Sequence, residues 1–196
     1  MIGACIRAKT DRERGGRRFL AAPPLAALAI GLMVGAPAKA DEAMIEGCLK
    51  AAAEVHHVPA GVLVLLISVE AGRLGEVTPN INEKGTVTSV DIGPMQVNDT
   101  WLGKIAEHWG ASREEAYRAL RDSFCANVEG GAWILRQALD EARGDLWEGV
   151  ALYHSHDPLH KLEYMRLVYE QAMRLKREAG REATGEIASA DAGGGR

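Results

Sequence analysis

From Met44 onward the apolar positions of this chain recur mostly every three or four residues, the spacing of one face of an α-helix. Met44 to His57 carries Ile45, Leu49 and Ala52 or Ala53 along such a face. Val58-Pro59 interrupts it, and a first-turn proline opens a second segment, Pro59 to Glu70. That segment, PAGVLVLLISVE, is apolar on all sides, which predicts a helix buried at the centre of the domain. The period fails from Ala71 to Asp91. Gly72, Gly75, Pro79, Asn80, Asn82 and Gly85 are turn residues there, and Thr86 to Val90 predicts a short strand or hairpin arm. An irregular stretch of that length in a compact domain usually carries function.

Helical spacing then returns. Asn98 or Asp99 caps a helix through His108, and Ser112-x-x-Glu115 has the form of a capping box for the next. Asp122 to Arg143 presents Phe124, Val128, Trp133, Leu135 and Leu139 on its apolar face, and Leu146 to Tyr153 is a shorter helix. Leu159 to about Ala179 places Leu162, Met165, Tyr169, Ala172 and Leu175 or Lys176 inward. After Gly180 the chain is glycine, alanine and charge, the composition of a disordered tail over residues 180–196. The fold class is mainly α: one helical domain over 41–179, with an irregular loop or short β-arm between the second helix and the segment DIGPMQVN.

The first forty residues change the picture. Six Lys and Arg before Phe19, an apolar run to Ala36 and the small-x-small sequence Ala38-Lys39-Ala40 predict a secretory signal peptide, 1–40, with a signal-anchor that stays in the membrane as the alternative. Its removal takes the formal net charge from −4 to −9. An exported, acidic domain is expected in the periplasm, and it is a poor ligand for nucleic acid, whose phosphates need a basic surface. No later stretch is apolar enough to span a bilayer, so no stable membrane span is expected after cleavage. Arg17-Arg18-Phe19-Leu20 resembles a twin-arginine signal without fixing the export route. Cys5 leaves with the leader, and Cys48 and Cys125 remain as an even pair, read as one disulfide in an oxidising compartment.

Candidate chemistry begins at Glu70. Ile67, Leu66 and Leu63 precede it on the same helical stripe, and the helix C-terminus concentrates negative potential there. Both effects disfavour the ionised form and make a general acid; the alternative is a carboxylate marking where a buried helix emerges into water. Asp91 is read as bracing backbone N–H groups of the turn before Gly93. His154, His156 and His160 are dense in imidazole, but the break at Asp157-Pro158 gives no set of three or four converging ligands, and no metal or cofactor is assigned. His56 and His57 stand at a helix end, where they meet its last carbonyls. Asn127 and Glu129 open a long helix, as caps or braces of a cleft. Of Trp101, Trp109, Trp133 and Trp147, all able to stack on sugars, Trp133 and Trp147 are read as core.

Four segments in order, SVEAG, DIGPMQVN, CANVEGGAWIL and ALYHSH, resemble the landmarks of the soluble-type lytic transglycosylases with a lysozyme-like fold. VDIGPMQVN, FCANVEGGAWILRQALDEA and YHSHDPLHK resemble in particular the conjugal-transfer enzymes of the TrbN type. The resemblance covers about Cys48 to Tyr153. It implies Glu70 as the single catalytic acid, and Gly93, Met95, Gln96 and Asn98 as a sugar-binding loop. It implies Tyr153 as a hydroxyl approaching the acid, with His154 beside it. The substrate so implied is the β-1,4 bond of peptidoglycan strands, cleaved with formation of 1,6-anhydromuramic acid, and the partners are components of a conjugation or type IV secretion apparatus. Pro94, His154 and Ala71 depart from the family's Leu, Asn and Ser; Ser68 or Ser155 is then expected to supply the hydroxyl that Ala71 lacks. A hydrolysing lysozyme and a peptidoglycan-binding assembly factor without turnover stay open beside this reading.

Overall fold

The structure, a computed structural model, describes the backbone of residues 37–193 and the side chains of 41–181. Most of the expected signal peptide therefore lies outside the described residues. Among those described the fold is mainly α, with seven helices and one small sheet: α1 (Pro37–His56), α2 (Ala60–Glu70), α3 (Leu102–Trp109), α4 (Arg113–Asp122), α5 (Phe124–Glu141), α6 (Leu146–His154) and α7 (Pro158–Gly193). The sheet holds β1 (Val77–Ile81), β2 (Val87–Ile92) and β3 (Val97–Asn98) in the order β1-β2-β3, all antiparallel.

Local chemistry explains most boundaries. Pro59, extended and lacking an N–H, stands just ahead of α2. Ser112 and Glu115 close a reciprocal capping box on α4, and the Asp145 carboxylate accepts from the N–H groups of Trp147 and Glu148 at the start of α6. Asn98 caps a 3-10 turn, Asp99–Trp101, which leads into α3. β1 contains Pro79, which an edge strand accommodates because its outer N–H groups need no ladder partner.

The core gathers around α2 and α5. Leu63 and Leu66 of α2, Val128 and Leu135 of α5, Ile92, Leu120, Val150 and Val168 are fully buried. α1 packs along α5, α5 along α6, and α2 against α7. Cys48 of α1 and Cys125 of α5 form a disulfide, with Cα atoms 5.0 Å apart, across 77 residues of sequence. A closed loop of that length contributes roughly 4 kcal/mol on the chain-entropy account.

Three expectations need correction. α2 is not buried all round, since Val64 keeps 38 % of its surface exposed; one helical face meets water although its residues are apolar. On α7 Met165, Ala172 and Leu175 pack against the core as expected, but the centre of the inner face lies elsewhere. Tyr164 and Val168 point inward, while Leu162 and Tyr169 are 71 % and 66 % exposed. Trp147 is half exposed rather than core. The helical backbone of α7 is described through Gly193. No single helix among the described residues is long and apolar enough to cross a membrane.

Candidate active site

A cleft of about 350 Å³ opens between the end of α2, the sheet and the end of α6. Glu70, Asn80, Asp91, Gln96, Asn98, Trp101, Tyr153 and His154 line it. Of these, Glu70, Asp91, Gln96, Asn98, Tyr153 and His154 are site candidates of the sequence; Trp101 was one of four tryptophans able to stack on a sugar, and Asn80 only a turn residue. Glu70 is the last residue of α2, because Ala71 turns into the left-handed region (φ 52°) while its N–H still reaches the Ile67 carbonyl. The helix thus delivers its carboxylate to the cleft and stops.

The surroundings of Glu70 set its charge state. Burial raises its pKa from 4.5 to about 7; the Tyr164 hydrogen bond opposes the rise and the charge of Asp91 adds to it. The Tyr164 hydroxyl donates to Glu70 Oε1 at 2.6 Å. Tyr153, the hydroxyl expected at the acid, instead donates to the Met95 carbonyl at 2.9 Å. Burial, then the charges of Glu70 and Asp91, push the Tyr153 phenol well above its ordinary value, so it stays a neutral donor. Tyr164 was missed because the α7 register was misread. His154 lies flat on the Tyr164 ring at 4.1 Å, and burial, together with His160, lowers its pKa, so it is a neutral imidazole at pH 7.

Asp91 does not brace the turn backbone. Its Oδ1 accepts from the Asn98 amide at 2.7 Å and its Oδ2 from the Asn80 amide at 2.9 Å. Both oxygens are held by side chains from neighbouring strands, and the carboxylate faces the same cleft as Glu70. Asn98 meanwhile accepts from the Thr100 N–H and hydroxyl, so one residue joins the strand, the 3-10 turn and Asp91.

The loop from Gly93 to Gln96 is fixed from behind. Asn127, fully buried on α5, donates to the carbonyls of Ile92 and Leu120 at 2.8 and 2.9 Å and accepts from the Met95 N–H at 2.8 Å. Gly93 has φ +66°, and a Cβ there would lie 2.8 Å from the Leu120 carbonyl oxygen, so only glycine fits. Met95, expected at the substrate, is fully buried; its thioether packs where a side chain at Gly131 would sit. Gly93 and Met95 are thus anchors of the loop, and Gln96 is the residue it presents, with its amide donating to the Gly93 carbonyl at 2.9 Å. Ser68 bonds its own helix at Val64, and Ser155 accepts from the Asp157 N–H; neither lines the cleft. The hydroxyl that meets Glu70 in this structure is that of Tyr164.

The histidines of the α6–α7 corner do not converge. His156 pairs with Glu141 at 3.0 Å, and His160 lies 4.0 Å from Asp157. Trp101 walls the cleft, edge-on to Trp133 at 6.0 Å. Compared with protein families and with curated proteins, the chain matches no family model and no curated sequence.

Proposed function

We propose that this protein is a peptidoglycan lytic transglycosylase acting in the periplasm, opening the wall locally for a conjugation or type IV secretion apparatus. The observation that carries the reading is Glu70: a carboxyl group with a pKa of about 7, bonded to a phenol, facing a cleft of about 350 Å³. At neutral pH much of it is protonated, which suits a general acid. The four ordered segments resembling soluble-type transglycosylases supply the substrate class and the secretion setting.

Glu70 gives its proton to the bridging oxygen of the β-1,4 bond as that bond breaks. The 2-acetamido group of the muramic acid attacks C1 and forms an oxazolinium, so no enzyme nucleophile is required. Ionised Glu70 then takes the proton of the C6 hydroxyl, whose oxygen attacks C1 and closes the 1,6-anhydro ring. The acid is regenerated. Asp91, clamped by Asn80 and Asn98, places negative charge near the positive charge developing at C1. Trp101 offers an aromatic face to a sugar ring.

The presence of Asp91 in the cleft favours one second reading, hydrolysis by two carboxylates with water as acceptor. Mass spectrometry of muropeptides released from purified sacculi separates the two. Anhydromuramic ends support the transglycosylase, and reducing muramic acid ends contradict it.

Ionisation of Glu70 removes the proton to be donated, so kcat/KM is expected to fall tenfold per pH unit above about 7. Tyr164→Phe removes a bond that favours the ionised form, so its alkaline limb is expected at higher pH than that of the parent. A pH–rate series on both proteins checks the direction; a limb displaced downward contradicts the assignment of Tyr164.

A further inference from the structure

Away from the residues that line the cleft, three helices bring two imidazoles and a carboxylate to one point. His56 ends α1, His108 lies on α3 and Glu129 on α5. The Nε2 atoms of His56 and His108 stand 2.7 and 3.3 Å from the same oxygen, Glu129 Oε1, and the three donor atoms all lie within 4.8 Å of one another. His56 was expected to meet the last carbonyls of its own helix; it reaches instead across 73 residues of sequence.

We propose that His56, His108 and Glu129 form a binding site for a first-row divalent transition metal, Zn²⁺ in the first place. Two neutral imidazoles and one carboxylate are a borderline-soft N₂O donor set, which suits zinc and excludes magnesium or calcium, whose sites are built of oxygen. Bonds of about 2.0–2.1 Å at tetrahedral angles put ligand atoms roughly 3.4 Å apart. The present separations of 2.7 and 3.3 Å require only small side-chain adjustments to admit an ion. Zn²⁺ bound at the two Nε2 atoms would displace the hydrogen bonds that now join the imidazoles to Oε1, each ring then carrying its one N–H on Nδ1.

The supporting residues orient the ligands as a metal site needs. Trp109 Nε1–H donates to the other carboxylate oxygen, Oε2, at 2.5 Å, which leaves Oε1 turned toward the two imidazoles. The His108 ring is stacked on Trp133 at 5.0 Å. The three side chains are 6 %, 17 % and 33 % exposed for His56, Glu129 and His108, so the point is largely dry yet open to solvent on the His108 side. That opening provides an entry path and a place for water as fourth ligand. A bound ion would tie α1, α3 and α5 together at a point distinct from the Cys48–Cys125 bridge. It would also sit two residues from Asn127, which holds the Gly93–Gln96 loop.

Isothermal titration of untagged full-length protein with ZnCl₂ tests the site, with Co²⁺ visible absorption reporting the ligand field. One equivalent of Zn²⁺ is expected to bind saturably. His108→Ala and Glu129→Gln are each expected to weaken binding at least about tenfold and to abolish the Co²⁺ d–d bands, while the double variant His156→Ala/His160→Ala binds as the parent does. Far-UV circular dichroism of every variant confirms that the helices are retained, and Glu129→Gln keeps an acceptor for Trp109 should the alanine variant unfold. The proposal is overturned by absence of saturable binding, by parental affinity in both His108→Ala and Glu129→Gln, or by loss of binding only in the His156/His160 variant.

Discussion

Glu70→Gln is expected to lower the rate of sacculus digestion by about 10²–10⁴-fold, the range typical of a lost general acid. The amide matches the carboxyl in shape and keeps an oxygen to accept from Tyr164, so the cleft retains its walls and its affinity for glycan. What it lacks is a proton to give. The same substitution has a signature in stability. Burial raises the native pKa of Glu70 from 4.5 to about 7, so the folded state binds this proton more tightly than the unfolded chain does. That contribution is complete below pH 4.5 and is lost as pH rises from 4.5 to about 7. In the parent, stability therefore declines across this window; in Glu70→Gln that decline is absent. The two proteins should unfold at similar denaturant concentration near pH 4. At pH 8 the variant is expected to be the more stable, by an amount on the order of 3 kcal/mol at 1.36 kcal/mol per unit. Urea unfolding at the two pH values checks this, and a variant less stable than the parent at pH 8 would refute the burial of charge at Glu70.

The second large effect belongs to a residue that touches no substrate. Asn127→Leu preserves volume but leaves the Ile92 and Leu120 carbonyls and the Met95 N–H without partners inside the core. Each unpaired buried group costs about 1–3 kcal/mol, so the sum over the three is roughly 3–9 kcal/mol. That is a large share of the 5–15 kcal/mol that holds an ordinary domain. The melting temperature should fall by about 10 °C or more, with activity lost because the Gly93–Gln96 loop is released from α5. Asn127→Asp keeps the acceptor for the Met95 N–H and loses only the two donated bonds, so it should fall between parent and Asn127→Leu. A shift under about 2 °C in the leucine variant, by calorimetry, would show that the loop is held by something else.

What could be read from the sequence was what neighbouring residues decide. The mainly α class, the start of α2 after Pro59, its end at Glu70 and the Ser112–Glu115 cap all depend on contacts within one or two helical turns. Leu63, Leu66 and Ile67 on one stripe pointed to a desolvated Glu70, while leaving open a carboxylate at the helix's exit into water. The parts that escaped depend on partners far along the chain. β1, VTPNI, pairs with β2 although Pro79 and Asn80 at its centre mask the strand preference of Val77, Thr78 and Ile81. Tyr164 meets Glu70 across 94 residues, and in α7 the exposed Leu159, Leu162 and Tyr169 outweigh Tyr164 and Val168 in any hydrophobic count. Met95 went to the core because Gly131 leaves room for its thioether, a fit set by two elements at once. Asp91 was assigned to the nearest backbone for want of any sign that Asn80 and Asn98 flank it across the sheet.

The ionisation of Glu70 is the physical claim beneath the proposed chemistry, and side-chain carboxyl ¹³C NMR against pH measures it directly, with Glu70→Gln identifying the resonance. A midpoint near 7 is the predicted result. A midpoint at 4.5, the value of a carboxylate in water, would mean that Glu70 holds no proton to deliver at neutral pH, and would contradict the account.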